Sequence, residues 1–158
     1  MLQSSVLSTM PVGSAGNIYK AEHSFYTSFQ GLVIDDITKV GSFVQAGTKE
    51  NEVIMASGQA ITTPIMGVVV KERLRNSSTE TDLVEKGNNV TVLTEGYVYI
   101  ATSLVANQGQ YVFLKTADGT LAFNNTSTLA DHTYTGFKVD IGNATATAGI
   151  IGITSARA

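Results

Sequence analysis

The stretch from Asn89 to Phe123, NVTVLTEGYVYIATSLVANQGQYVFLKTADGTLAF, contains the pattern that decides the fold. Short runs of apolar and β-branched residues are separated by clusters of Gly, Asn, Asp and Gln, and each run has the length of a strand. Asp118-Gly119 separates two runs and tolerates the positive φ of a tight turn, which predicts a hairpin. Thr94-Glu95-Gly96 separates two others and predicts a second hairpin.

Side-chain alternation within Tyr97-Val98-Tyr99-Ile100 assigns two faces to one of these strands. Successive side chains of a strand point to opposite faces, so the two tyrosines share one face and Val98 shares the other with Ile100. We expect one face to pack on the core. The tyrosine face is predicted to be half-buried, with a subunit contact as the alternative.

The same pattern of short apolar runs separated by turn residues continues along most of the chain. Thr, Val and Ile together supply 47 of the 158 residues and Leu supplies 10, which favours pleated sheet over helix. Helix evidence is thin: Tyr19–Phe29 is a candidate for one short helix or for an irregular aromatic anchor, and Thr81–Lys86 for a single turn. The predicted fold is all-β with little helix, a compact antiparallel β-barrel or sandwich with an extended N-terminal arm. The predicted strands are Leu32–Ile34, Ser42–Gln45, Glu52–Ala56, Pro64–Lys71, Asn89–Leu93, Tyr97–Ala101, Gln110–Lys115, Thr120–Phe123, Gly136–Ile141 and Ala148–Thr154.

The length of 158 residues suits one domain with its own core. Residues 1–18 are rich in Ser, Gly and Ala and have no apolar period, so they are predicted to form an extended N-terminal arm, with a floppy terminus as the alternative. Residues 19–158 are predicted to form a single β-rich domain.

Charge is sparse. Charged residues make up 15% of the chain, against about 25% in an ordinary soluble domain. From Gly96 onward only Lys115, Asp118, Asp131, Lys138, Asp140 and Arg157 are charged. Sparse charge favours an oligomer whose subunits bury surface against one another. The alternative is a monomer whose surface is hydrated through neutral polar residues such as Thr and Asn. The net charge of −3 argues against nucleic acid as a partner, and no stretch reaches the ~18 apolar residues of a membrane span.

No pattern indicates catalysis, a cofactor or a metal. The two histidines, His23 and His132, lie far apart in sequence, and cysteine is absent. No serine sits in a Gly-x-Ser-x-Gly turn, and no glycine-rich phosphate loop occurs. Asp35-Asp36 is the obvious carboxylate pair, but adjacent strand residues point to opposite faces. We therefore predict no catalytic, cofactor-binding or metal-binding residue.

The order of these glycine-punctuated segments resembles the structural cement proteins of tailed bacteriophages, also called capsid decoration or head-stabilising proteins. The resemblance covers most of the chain, and its strength lies in order and spacing. The chain departs from the family pattern in two segments, the leader Met1–Thr9 and the aromatic segment His23–Phe29. The segments that carry the resemblance are Met10–Ile18, Ile37–Val44, Ile65–Val69, Val90–Tyr99, Gly109–Phe113, the Asp118-Gly119 turn and Ala148–Ile153.

This resemblance implies a non-enzymatic virion protein, made in the host bacterial cytoplasm, that binds the outside of the phage capsid. It would stabilise the expanded head by bridging capsomers. The implied partners are the major capsid protein and further copies of the chain, as a homotrimer, with no nucleic acid, membrane or cofactor. The candidate capsid or subunit contacts are Pro11, Gly13, Gly16, Phe25, Tyr26 and Phe29. The alternative function is a head-fibre or surface adhesion module that binds a host receptor or glycan.

Overall fold

The computed structural model describes residues 14–19, 27–35, 38–71, 83–143 and 149–155, and within these ranges every regular element is a strand. None of the described residues belongs to a helix long and apolar enough to cross a membrane. In chain order the strands are β1 (Thr27–Val33), β2 (Thr38–Lys39), β3 (Phe43–Ala46), β4 (Glu52–Met55), β5 (Ile65–Val69), β6 (Leu83–Val84), β7 (Asn89–Glu95), β8 (Tyr97–Thr102), β9 (Tyr111–Lys115), β10 (Leu121–Asn124), β11 (His132–Ile141) and β12 (Gly149–Thr154).

Five strands close into a small barrel with the order β1-β4-β3-β5-β7, and β7 pairs again with β1. Neighbouring strands are antiparallel except β1 and β4, which run parallel. A barrel of so few strands leaves room for short side chains only, and valine also favours extended backbone. The buried interior cluster accordingly consists of Val33, Val40, Val44, Val53, Val69, Val84, Val90 and Val92.

The other large sheet has the order β10-β9-β11-β12-β8, with every pair antiparallel. One of its faces rests on the barrel, where Phe43 of β3 meets Phe137 of β11 edge to face at 5.7 Å between ring centroids. The cluster between the two layers comprises Phe43, Ala56, Val68, Val70, Leu93, Val98, Ile100, Ala106, Val112, Leu114, Phe137, Val139, Ile151 and Ile153.

Some barrel strands are therefore buried on both faces. Phe43 and Val68 point toward the five-stranded sheet, whereas their neighbours Val44 and Val69 point into the barrel. A strand covered on both sides carries consecutive apolar residues instead of an alternating pattern. This explains the unbroken valine run Val68–Val70 in the sequence.

Each predicted strand overlaps an observed one, so the all-β prediction is confirmed. The hairpin at Asp118-Gly119 is confirmed as well, since β9 and β10 pair across it. The Gly119 N–H donates to the Lys115 carbonyl at 2.7 Å, and the Lys115 N–H donates to the Thr120 carbonyl at 2.8 Å.

The second predicted hairpin, at Thr94-Glu95-Gly96, is wrong. β7 is paired on both sides within the barrel, by β1 and β5, so no edge remains for β8. The chain instead leaves the barrel at Gly96 (φ 137°) and enters the five-stranded sheet, where β8 pairs with β12. Thr94–Gly96 therefore connects the barrel to the five-stranded sheet.

The two helix candidates are not helical where the chain is described. Thr27–Phe29 opens β1 and pairs with β7, and Leu83–Val84 is β6, which pairs with β2. Residues 20–26 and 72–82 lie outside the described ranges. The two-residue strands β2 and β6 are too short to produce a periodic signal in the sequence.

Candidate interaction surface

The outer face of the five-stranded sheet, turned away from the barrel, carries a concentration of tyrosines. On β8 Val98 and Ile100 are buried in the core between the layers, and Tyr97 and Tyr99 are half-buried on the opposite side. The predicted assignment of faces is confirmed, and so is the half-buried state of the tyrosines. Alternation along a strand therefore brings aromatic rings to this outer face.

The segment Ser14–Tyr19 lies along the free edge of β8. The Gly16 N–H donates to the Tyr99 carbonyl at 2.8 Å, and the Tyr99 N–H donates to the Asn17 carbonyl at 2.9 Å. Ile18 forms an antiparallel bridge with Val98. The described part of the predicted arm is thus hydrogen-bonded to the domain, while residues 1–13 lie outside the described ranges. An extended arm before Ser14 stays a prediction, as does a domain boundary at residue 18.

Tyr19 is the last residue of this segment, and its side chain lies on the outer face of the sheet. Its ring stacks on Tyr99 at 4.5 Å and meets the edge of Tyr97 at 5.6 Å between centroids. Its hydroxyl donates to Asp140 Oδ2 at 2.9 Å. Gly152 leaves room beneath the ring, because a Cβ there would lie 2.7 Å from the Tyr19 hydroxyl oxygen. Burial, and then the hydrogen bond to Asp140, raise the pKa of Tyr19 well above its ordinary value.

A second aromatic group lies across the same face, on β9 and β11. The Tyr134 ring meets Tyr111 at 5.5 Å and Phe113 at 5.6 Å between centroids, and Lys138 Nζ lies 4.5 Å from the Tyr111 ring centroid. Phe113 is buried, whereas Tyr134 is 39% exposed. Burial, and then the neighbouring Tyr111, raise the pKa of Tyr134. Like other tyrosine hydroxyls near pH 7, the Tyr134 hydroxyl is neutral and able to donate a hydrogen bond.

A bulge in β11 sets the spacing of this group. Tyr134 pairs with Phe113 and Lys138 pairs with Tyr111, so four steps on β11 match two on β9. Thr135 stabilises the irregular segment by donating its hydroxyl to the Val112 carbonyl at 2.8 Å. Bulges re-aim side chains, and this one lets both Tyr134 and Lys138 contact the Tyr111 ring.

We define the tyrosine face as Tyr19, Tyr97, Tyr99, Tyr111 and Tyr134. These side chains present apolar rings with polar tips, a combination enriched in protein interfaces. They supply contact area and hydroxyl groups that can hydrogen-bond to a partner. The tyrosine face is therefore the candidate interaction surface of the described chain.

Two of the six contact residues predicted from sequence are described. Gly16 is buried with φ +82°, and its carbonyl accepts from the Lys71 N–H at 2.8 Å. Phe29 of β1 lies opposite Val92 of β7. Its half-buried side chain packs against the barrel core. Their proposed roles in contacting capsid or subunits stay predictions. The remaining four, Pro11, Gly13, Phe25 and Tyr26, lie outside the described residues.

Sequence reasoning missed Tyr19, Tyr111 and Tyr134 as members of one surface. Tyr111 and Phe113 do alternate in the sequence as Tyr97 and Tyr99 do, which is a signal for an aromatic face on β9. Nothing in the sequence indicates that Tyr19 lies over β8 and reaches Asp140. That convergence depends on strand order.

Two described acidic residues, Asp35 of the predicted carboxylate pair and Glu52, have local structural partners, whereas Asp36 lies outside the described residues. Asp35 accepts from the Thr38 hydroxyl, and its Oδ2 accepts from the Met55 N–H at 2.7 Å. Glu52 accepts from the Thr48 hydroxyl and the Lys49 N–H, each at 2.9 Å, and these hydrogen bonds lower its pKa. In the ranges that the structure describes, no three His, Asp or Glu side chains gather as metal ligands would.

Comparisons with known proteins give a family and a fold. A family model described as structural cement protein (E217 gp24/Pam3 gp6) matches residues 2–155. Among solved structures, a chain from the capsid of Myoviridae Phage XM1 is similar, with a TM-score of 0.62 and 14% sequence identity. That match covers 98% of this chain and 96% of the other. At this identity the likeness concerns the fold alone. No curated protein sequence matches the chain.

Proposed function

The chain belongs to the structural cement family of phage proteins, and from this premise we propose that it stabilises the expanded head by bridging neighbouring capsomers on the outer capsid surface. A structural role in the virion capsid follows from the family itself. The single observation that carries the proposal is the family match over residues 2–155. We further propose that the role involves no catalysis and that the partners are the major capsid protein and other copies of this chain, as a homotrimer.

Linked binding supplies the physical mechanism. A protein that binds the expanded shell and not its precursor lowers the free energy of the expanded shell alone. Many copies at symmetry-related sites add their contributions, so that modest individual interfaces produce a large total effect. Each copy needs a contact surface that excludes water and carries few charges. The tyrosine face suits that requirement, since its rings are half-buried or exposed and charge is brought to them by two described side chains, Lys138 and Asp140.

We propose that the tyrosine face contacts the capsid and that Tyr134, its most exposed ring among the described residues, contributes most to binding. A partner that covers Tyr134 and Tyr111 would bury apolar ring area and meet neutral hydroxyls. The N-terminal arm is the second proposed contact. It would add a strand to an edge of a capsid sheet through backbone hydrogen bonds. Phe25, Tyr26 and Phe29, which follow the arm, are separate proposed anchors.

Co-sedimentation with cement-free capsids, in the expanded and the unexpanded form, tests the function. We expect saturable binding to expanded shells, added resistance of those shells to heat, and little binding to unexpanded shells. Absence of binding to either form would contradict the proposal.

Variants separate the two proposed contacts. We expect Tyr134→Ala to weaken binding at least about tenfold, as loss of an interface anchor does. The matched control is Leu83→Ala, which removes a large apolar side chain that is 56% exposed on β6, and we expect it to leave binding unchanged. Deletion of residues 1–13 tests the arm while retaining Ser14–Tyr19 on β8. Unchanged affinity of this deletion would exclude the arm as a contact.

The adhesion alternative has one observation in its favour, because exposed aromatic rings also bind sugars. Tyr134 beside Tyr111 is such a group. A glycan screen with the isolated protein distinguishes the two functions. Binding of a glycan that Tyr134→Ala abolishes, without binding to capsids, would favour an adhesion module.

A further inference from the structure

The described chain leaves one edge of its large sheets without a partner. The barrel is closed and has no edge, and the five-stranded sheet ends in β8 and β10. The β8 edge is covered by Gly16–Ile18. The outer edge of β10 has no strand beside it among the described residues. A free strand edge is a template for pairing with another chain.

The register of the hairpin identifies the backbone groups on this edge. Leu121 pairs with Leu114, Ala122 with Phe113 and Phe123 with Val112. The hydrogen bond from the Lys115 N–H to the Thr120 carbonyl makes Leu121 opposite Leu114 a non-hydrogen-bonded pair. By alternation, the N–H and C=O groups of Leu121 and Phe123 point away from β9, whereas those of Ala122 point toward it. The outward groups make no hydrogen bond to the part of the chain that is described.

Three features that protect edge strands from pairing, namely charge, proline and a bulge, are absent from β10 and the residues after it as far as Ala130. Natural edge strands carry charges, proline or bulges. The run from Gly119 to Ala130, GTLAFNNTSTLA, has no charged residue and no proline, and the pairing of β10 with β9 has no bulge. The core is also incompletely covered beside it, because Leu121, Phe123, Ile61 and Ile65 pack against the inter-layer cluster and remain only partly buried.

We propose that β10 pairs antiparallel with β10 of a second copy of this chain, about a two-fold axis at Ala122. Leu121 of each copy then lies opposite Phe123 of the other, and the outward N–H and C=O groups of these residues hydrogen-bond each other. Ala122 faces its own counterpart as the close, non-hydrogen-bonded pair. The two five-stranded sheets join edge to edge.

The residues of β10 favour a second copy over another occupant, because a two-fold contact must be self-complementary. The residue at the axis is alanine, which fits where Cα atoms approach to about 4.5 Å. The absence of charge from Gly119 to Ala130 means that no like charges are opposed. Leu121 and Phe123 lie on the same face of β10, so each Leu121 meets an aromatic ring across the pair. The contact links single chains, or one chain from each of two trimers.

A cysteine cross-link tests the pairing directly. The chain has no cysteine, so Ala122→Cys can form a disulfide only between copies. The Cα separation expected at the axis lies within disulfide range. The control is Ala101→Cys, an exposed alanine on the strand at the opposite edge of the same sheet. Under mild oxidation we expect Ala122→Cys to give covalent dimers at least about tenfold faster than the control. Equal rates would overturn the proposal.

A charge exchange gives an independent test. We expect Ala122→Lys and Ala122→Glu each to raise the dissociation constant of self-association by roughly tenfold, because like charges would meet at the axis. A mixture of the two variants should recover the association. The measurement is sedimentation equilibrium over a range of concentrations, with circular dichroism to verify folding. If both variants retain the parent's association, the pairing is wrong. Neither test uses capsids, so their outcome is separate from that of capsid binding.

Discussion

Tyr19 donates its hydroxyl to Asp140 Oδ2 at 2.9 Å, and this hydrogen bond joins residues 121 positions apart. Tyr19 ends the segment that lies along β8, and Asp140 belongs to β11, with β12 between these two strands. The tyrosine side chain therefore crosses the face of β12 over Gly152. The contact fastens the N-terminal segment to the interior of the sheet as well as to its edge.

Loss of this hydrogen bond should loosen the N-terminal segment. We expect Tyr19→Phe to lower the free energy of unfolding by about 1 kcal/mol, because the ring still stacks on Tyr99 while Asp140 loses a donor. Urea denaturation measures the change in the free energy of global unfolding. Hydrogen exchange at the Gly16 amide measures how readily the N-terminal segment opens locally. The matched control is Tyr99→Phe, since the Tyr99 hydroxyl makes no hydrogen bond within the described residues. Equal effects of the two variants would contradict this role for Tyr19.

The raised pKa of Tyr19 predicts a loss of stability in alkali. In the folded protein Tyr19 stays protonated, whereas in the unfolded chain it ionises near its ordinary pKa of 10.0. Above that pH the unfolded state binds fewer protons than the folded state, so the free energy of unfolding falls as pH rises. Above pH 10 we expect the stability of the native protein to fall more steeply with pH than that of Tyr19→Phe, by less than about 1 kcal/mol per pH unit because solvent screens a partly exposed group. Parallel curves for the two proteins would show that Tyr19 does not contribute.

Gly152 should be required for the position of Tyr19. We expect Gly152→Ala to cost about 1–3 kcal/mol of stability, because the new methyl group would displace the tyrosine ring. The same substitution in a Tyr19→Ala background should cost less, and the difference measures the coupling between the two positions. Thermal unfolding of the four proteins of this cycle supplies the numbers. An unchanged cost in both backgrounds would mean that the strain arises elsewhere.

Gln45 is a buried polar residue that secures the loop before β5. Its Oε1 accepts from the Thr62 N–H at 2.9 Å and the Thr63 N–H at 3.1 Å, and its Nε2 donates to the Ala60 carbonyl at 2.9 Å. We expect Gln45→Leu to cost roughly 2–4 kcal/mol, since buried backbone groups lose their partners. The control is Gln108→Leu in the turn between β8 and β9, an exposed glutamine whose side chain makes no hydrogen bond to the described residues, and for it we expect a change within about 0.5 kcal/mol. Chemical denaturation of both variants measures their free energies of unfolding relative to the parent protein.

The strands were predictable because their signals are local. β-branched composition, strand-length apolar runs and the Asp118-Gly119 turn depend on residues next to one another, and the structure has a strand at each predicted place. The faces of β8 were predictable for the same reason, since alternation follows from the pleat. The family resemblance also rests on the order of such local segments, and the family match agrees with it.

Strand partners were not predictable, because local pattern carries no information about them. Thr94–Gly96 reads as a hairpin turn, yet β7 is already paired on both sides, which no residue of the turn indicates. The tyrosine face likewise gathers residues from four separate segments of the chain, and only the order of β9, β11, β12 and β8 brings them together.

The sequence by itself determined an all-β chain, ten of the twelve described strands, the two faces of β8 and the resemblance to the family. The tertiary structure alone decided the division into a valine-filled barrel and a five-stranded sheet, the contact of Tyr19 with Asp140, and the edge of β10 beside which no described strand lies. The physical reason is that strand length and facing are set by neighbouring residues along the chain. The pairing of strands is set instead by long-range burial and by the number of backbone edges that remain free.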